Sequence, residues 1–255
     1  AANCQTPAND MWLVGARTTV GATAVLRLNN PSGTAATVDL EIYGADGRVE
    51  TGGSRGIVVA PGETRSIILA GLASNQESAA VRVRSSGGPV SAFIEQTILR
   101  GLTAGGVEII EPTAAPSPRQ VITGVALQKA EDTRKLAEQD GYSSVSPVLN
   151  VAVPGTSDAS VHLRVFGPKG EVELPGGGIF SVPAGTVGKI PLAELPEGTY
   201  SLDLSADVAV AAAAVFSRGT EPGERVELAV ASADTRLGSE HLAVAVPGGD
   251  SSLVF

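Results

Sequence analysis

The chain has 255 residues, 43% of them hydrophobic, with 27 acidic against 18 basic side chains and a net charge of −9. That length fits one large or two ordinary domains with a real core, and an acidic chain without a basic stripe argues against nucleic acid as a partner. Gly (31) and Pro (16) stand against only 4% aromatic residues, a balance that favours many turns and short strands over long helices.

Cys4 is the only cysteine, so neither an internal disulfide nor a Cys-based zinc site can form. Asn3 occupies a position where a lipid-attachment signal wants a small residue, which leaves Cys4 free or paired outside this segment. No initiator Met opens the chain, and we read an N-terminal piece as removed. Trp12 opens the first strand and is expected to be a core or edge-sealing residue.

Period-two alternation follows. Leu26 and Leu28 face one way and Arg27 the other; Val38, Leu40 and Ile42 alternate with Asp39, Glu41 and Tyr43. Short runs of this kind, separated by N-P-S-G, A-D-G and P-G-E, predict half-buried antiparallel strands. Residues 52–56 read G-G-S-R-G, which matches the G-x-S-x-G of a hydrolase nucleophile elbow. That chemistry needs a strand-to-helix turn and a histidine. No helical pattern follows Ser54, so a glycine-rich turn is the expectation. Val81 and Val83 continue the alternation against Arg82 and Arg84.

A shift of 123 residues lays Val25–Glu50 on Val148–Glu173 without a gap, and ten of the 26 pairs are identical. Val161-His162-Leu163-Arg164-Val165 thereby repeats the Val38–Ile42 strand, and Gly167 and Gly170 repeat Gly44 and Gly47. The same shift sets Gly177 opposite Ser54. After a five-residue deletion Arg100-Gly101 falls on Arg218-Gly219. The chain is therefore a tandem of two homologous units of β-sandwich size. Residues 1–115 are the first, 116–225 the second, and the Pro-rich stretch 111–119 is a stiff connector.

The second unit departs from the first in two places. Residues 128–142 are an insertion, and seven of the thirteen residues 129–141 are charged, so we expect a solvated excursion of one or two helical turns. Residues 208–216 are nearly all Val and Ala, where the repeat gives the first unit Glu95, Gln96 and Thr97 on the outer face. A strand apolar on both faces is buried on both, so something must cover it. The longest apolar run, 209–216, falls short of the roughly 18 residues of a membrane span. Beyond Val226 the sequence resembles the start of a unit, and V-A-V-P-G of 151–155 recurs at 244–248. Residues 226–255 are too few for a core and must pack on an earlier unit or begin a partial third repeat.

No chemical constellation emerges. His162 and His241, the two histidines, lie in strand patterns without a convergent acid. Asp46-Gly47 and Asp140-Gly141 are turn dipeptides, short of a calcium loop. Trp12, Tyr142, Tyr200 and the equivalent pair Tyr43/Phe166 are scattered, which favours packing over sugar stacking.

The stretches P-A-N-D-M-W-L-V-G-A-R and L-R-L-N-N-P-S-G, with V-x-A-x-x-x-x-x-x-x-R-G from Val90 to Gly101, resemble an uncharacterised family of exported actinobacterial proteins. The resemblance implies a secreted or membrane-tethered location outside the cytoplasmic membrane and brings no established activity to carry over. Our expectation is an all-β protein of two tandem immunoglobulin-like sandwiches with extra terminal strands. It is expected to be a non-catalytic envelope module that contacts protein or wall polymer, with no catalytic, cofactor or metal residues, no nucleic acid and no membrane insertion. Glycan binding is the alternative; a hydrolase comes third.

Overall fold

The computed structural model describes residues 5–234. It is all-β, and every strand pairing among the described residues is antiparallel. Nine strands precede the Pro-rich stretch: β1 (Asp10–Ala16), β2 (Ala22–Asn29), β3 (Ala36–Gly44), β4 (Gly47–Val49), β5 (Ile57–Val59), β6 (Thr64–Ile68), β7 (Ala79–Gly87), β8 (Ser91–Arg100) and β9 (Thr103–Ile110). They form two sheets, ordered β1-β7-β3-β4 with β5 beside β3, and β6-β2-β8-β9. The alternation explains why the sheets stack. Leu26 and Leu28 from one, and Val38, Leu40, Ile42 and Val83 from the other, point into one shared core, while Arg27, Asp39 and Arg84 stay on the wet sides.

The second half holds β10 (Ser117–Leu127), α1 (Ala130–Ala137), β11 (Val148–Ala152), β12 (Ala159–Gly167), β13 (Gly170–Val172), β14 (Ile179–Val182), β15 (Val187–Pro191), β16 (Gly198–Arg218) and β17 (Glu227–Ser232). The 21-residue β16 organises it. Its first half pairs with β12 and β10, and its second half with β11 and β17. One strand thus belongs to both faces of a second sandwich, whose core includes Leu149, Val161, Leu163 and Leu204. In the first sandwich the corresponding path is broken into β7 and β8 by Gly87, Gly88 and Pro89. Gly87 has φ +84°, and a Cβ there would collide with the Ala35 carbonyl, so the chain turns. Ser205-Ala206-Asp207-Val208 carries no such interruption, and β16 runs on.

The repeated segment is a strand and a tight hairpin in both halves. Gly44 pairs with Gly47, and Gly167 with Gly170. Gly47 and Gly170 have φ of +129° and +110°, which a side chain would strain.

Several expectations need correction. The sequence offset that joins Arg100 to Arg218 would set Ile94 on Ala212. In the structure Ile94 faces Leu26, whereas the repeat-equivalent Leu149 faces Ala214, so the strands correspond two residues further on. Gln96 is not on the outer face: it lies on the inner side with Ile94 and Ile98 and is 1% exposed. Its amide is satisfied there, for Oε1 accepts from Arg17 N at 2.8 Å and Nε2 donates to Thr23 O at 3.2 Å. The connector is shorter than residues 111–119, because Ser117 already pairs with β16. It is also tied down, with Thr113 N donating to Trp12 O at 2.8 Å. The charged insertion does form two turns of helix, yet it is not wholly solvated. Leu136 packs with Val145 and Val226, and Thr133 Oγ1 donates to Gly219 O at 3.1 Å.

The Val–Ala stretch of β16 is buried on both sides, as its composition demands. Ala212 and Ala214 enter the core of the second sandwich. Ala211 and Ala213 face the opposite way, into a layer with Ala152 and Val187 from β11 and β15, and Trp12, Val14, Tyr43 and Ala80 from the first sandwich. The cover is therefore the outer face of the β1-β7-β3 sheet. β17 adds a strand beside β16, with Val215 opposite Val230. Cys4, His241 and the second V-A-V-P-G lie outside the described residues.

Candidate functional site

Ser54 sits in the turn before β5 and is 6% exposed. Its Oγ donates to Thr51 O at 3.1 Å, and its carbonyl accepts from Leu40 N at 2.7 Å. The hydroxyl is thus spent on closing a turn. His162 projects from the outer face of β12, in the other sandwich, so the structure does not bring these two groups together. Asp46 and Asp140 lie in exposed turns. Among the described residues no cluster of three or more His, Cys, Asp or Glu is placed to hold a metal ion.

Three features remain. The first is an open cleft of about 710 Å³ where the two sandwiches meet, lined on its polar side by Thr6, Glu108, Glu111, Thr123, Ser232 and Asp234. Thr123 Oγ1 donates to Asp234 Oδ2 at 2.7 Å and fixes one rim. The second is an apolar tip on the first sandwich. Leu99 N donates to Gly21 O at 2.7 Å, which presses the β1–β2 loop against the end of β8. Val20 and Leu102 are fully exposed there, and Leu99 is 51% exposed.

The third is the polar edge of the layer between the sandwiches. Lys189 of β15 forms an ion pair with Glu77 across the gap, and Arg17 Nε donates to the Glu77 carbonyl at 3.2 Å. Arg100 reaches over to Ser144 Oγ at 2.9 Å, with its guanidinium 5.3 Å from the Tyr142 ring centroid. Arg17, Arg100, Gln96 and Asn150 line a small cavity of about 20 Å³. Burial pushes both guanidinium groups below their ordinary value; nearby Glu77 opposes the shift at Arg17, and the Arg17–Arg100 proximity adds to it there. They remain cations at neutral pH. The sequence marks Arg100 as a repeat position and Gln96 as a polar strand residue, but no local pattern brings them together with Arg17, Glu77, Lys189 and Asn150, which lie far apart along the chain.

The Lys189 ammonium, by hydrogen bond first and charge second, holds the Glu77 carboxyl below its ordinary 4.5. A depressed carboxyl stabilises the fold fully above the unfolded value and loses that contribution as pH falls through the folded one. Glu77 is largely exposed, so the effect is modest. We expect the melting-temperature difference between the protein and Glu77→Gln to be constant above about pH 6 and to vanish in strong acid. A difference that grew as pH fell would contradict the ion pair.

The model of a family of unknown function, DUF5719, matches residues 1–255. No curated protein matches the chain. No helix among the described residues is long and apolar enough to cross a membrane.

Proposed function

We propose that this chain, which belongs to the DUF5719 family of unknown function, is a non-catalytic extracytoplasmic module of the cell envelope that works by protein contact. The observation that carries this reading is the apolar tip. Three large aliphatic side chains, Val20, Leu99 and Leu102, meet water at one end of the first sandwich, and covering them gains about 25 cal/mol per Å² of apolar area. An aliphatic patch of this kind suits a protein surface better than a hydroxyl-rich polymer. The extracytoplasmic placement is supported by the likeness of the first unit's W-L-V-G and L-N-N-P-S-G stretches to exported proteins. The immunoglobulin-like assignment is supported by Tyr200, at the start of β16, whose hydroxyl donates to Pro196 O at 2.8 Å, the arrangement of a tyrosine corner.

A double variant, Val20→Asp with Leu102→Asp, tests the reading. It should melt like the parent, since both sites are exposed, yet lose a specific partner captured from envelope extract by the parent. Equal capture by both would sink the tip. Glycan binding is the second reading, favoured by the cleft's hydroxyls and carboxylates. Binding to wall polymer that survives the double variant and fails in Thr123→Val with Ser232→Ala would establish it instead.

Catalysis through Ser54 has no place in this proposal. A serine-directed fluorophosphonate should leave the protein unlabelled; labelling that disappears in Ser54→Ala would show a nucleophile where we read a turn.

A further inference from the structure

We propose that the small cavity between the two sandwiches is a binding site for a small monovalent anion of chloride size, held by Arg100 and faced by Arg17. The argument begins with unmet hydrogen bonds. Arg100 donates through Nη2 to Ser144 Oγ, but its Nε and Nη1 are buried and have no acceptor. Buried N–H groups on a cation are seldom left unpaired, because their desolvation goes uncompensated. Both belong to a residue that lines the cavity, and the Tyr142 ring lies 5.3 Å from its guanidinium.

Charge argues in the same direction. Arg17, Arg100 and Lys189 converge on the junction, and Glu77 is the carboxylate that lines the cavity with them. That carboxylate is already engaged by Lys189. Two partly buried guanidinium groups thus meet at the seam of a chain whose net charge is −9. Burial lowers the pKa of both arginines without neutralising either. A water molecule could fill the space, and Asn150 Oδ1 is a further unpaired atom there, but water leaves the charge standing. The Asn150 amide can also present its NH₂ by turning over, which would give the anion another donor.

Size selects the ligand. A volume of about 20 Å³ is on the scale of the roughly 10–15 Å³ that one water needs, which suits a single-atom ion better than a tetrahedral oxyanion. Because the cavity walls come from both sandwiches, the bound ion would lock one to the other.

The single tryptophan, Trp12, lies in the same interdomain layer, so its fluorescence reports on the junction during thermal melts of the full chain. Titration with sodium chloride should raise the melting temperature saturably, and sodium bromide should do the same. Sodium gluconate and sodium sulfate at matched ionic strength should not. Arg100→Gln should raise the half-saturating chloride concentration about tenfold or more, the loss expected for one charged donor pair. Since that variant could fail to fold, crystals of the unaltered protein grown in bromide give an independent reading: an anomalous peak within hydrogen-bond distance of Arg100 Nε and Nη1. Equal shifts in all four salts would mean simple screening and overturn the proposal. So would a cavity that holds only water in bromide crystals, or bromide in the crystal without a saturable response in solution.

Discussion

Replacing Trp12 with alanine should destabilise the protein by about 3–5 kcal/mol, the cost of deleting a buried aromatic ring, and split one melting transition into two. Trp12 is 4% exposed. Its ring lies 5.4 Å from that of Tyr43, tilted by 33°, with the Arg82 guanidinium 5.5 Å from its centroid. Around it the layer between the sandwiches is made of small side chains, Ala80, Ala152, Ala211 and Ala213, with Val14 and Val187. Alanines have nothing to swing into the vacancy, so the gap stays open and the transfer and cavity losses add. Each sandwich keeps its own core, which is why the damage should fall on their coupling. Trp12→Phe should retain most of the coupling. A calorimetric trace of Trp12→Ala that kept one transition at the parent temperature would show that the layer does not join the two halves.

The second large effect is expected at the repeated strand. Leu40 and Leu163 are 3% and 2% exposed, opposite Val83 and Leu204 in their sheets. Truncating either to alanine should cost about 2–5 kcal/mol. His162, exposed beside Leu163, should tolerate alanine within about 0.5 kcal/mol. Asp39 is a different neighbour, because its Oδ1 accepts from Gly56 N at 2.8 Å. Asp39→Ala should therefore cost about 1 kcal/mol. Denaturant melts settle the order, and a costly His162→Ala with a neutral Leu163→Ala would place the register one residue off.

How much of this was legible in the sequence depends on whether the signal was local. Strands β2, β3 and β12 could be read because one of their faces is wet, so the chain alternates. The Val–Ala run could be read as doubly buried because alternation is missing. What covers it could not be read by the same logic, although the sign was present: β1 contributes six consecutive buried residues, Met11 to Ala16, and a strand buried on both faces has two neighbours to satisfy. Gln96 was misplaced because its polarity was weighed above its position, yet Ile94, Gln96 and Ile98 share one parity. The junction cavity was invisible. Arg17, Arg100 and Asn150 meet only after two sandwiches have folded and docked, and no local pattern records a contact of that kind.

The docking layer also has a direction. It joins the outer face of the β1-β7-β3 sheet of one repeat to that of the β15-β11-β16 sheet of the next, and these are not equivalent sheets. The β3 sheet of the first repeat corresponds to the β12 sheet of the second, as Leu40 corresponds to Leu163. Such a head-to-tail contact does not close on itself, and in principle it propagates from copy to copy. In the second repeat, however, the face that would accept another copy carries the Arg119–Asp203 and Arg164–Glu171 pairs, with Phe166 beneath the Arg164 guanidinium at 4.8 Å. Stacking a further copy there would strip water from four charges. On that face the charges oppose a further copy docked in the same way, as the polar outer face of a capping repeat does in a solenoid.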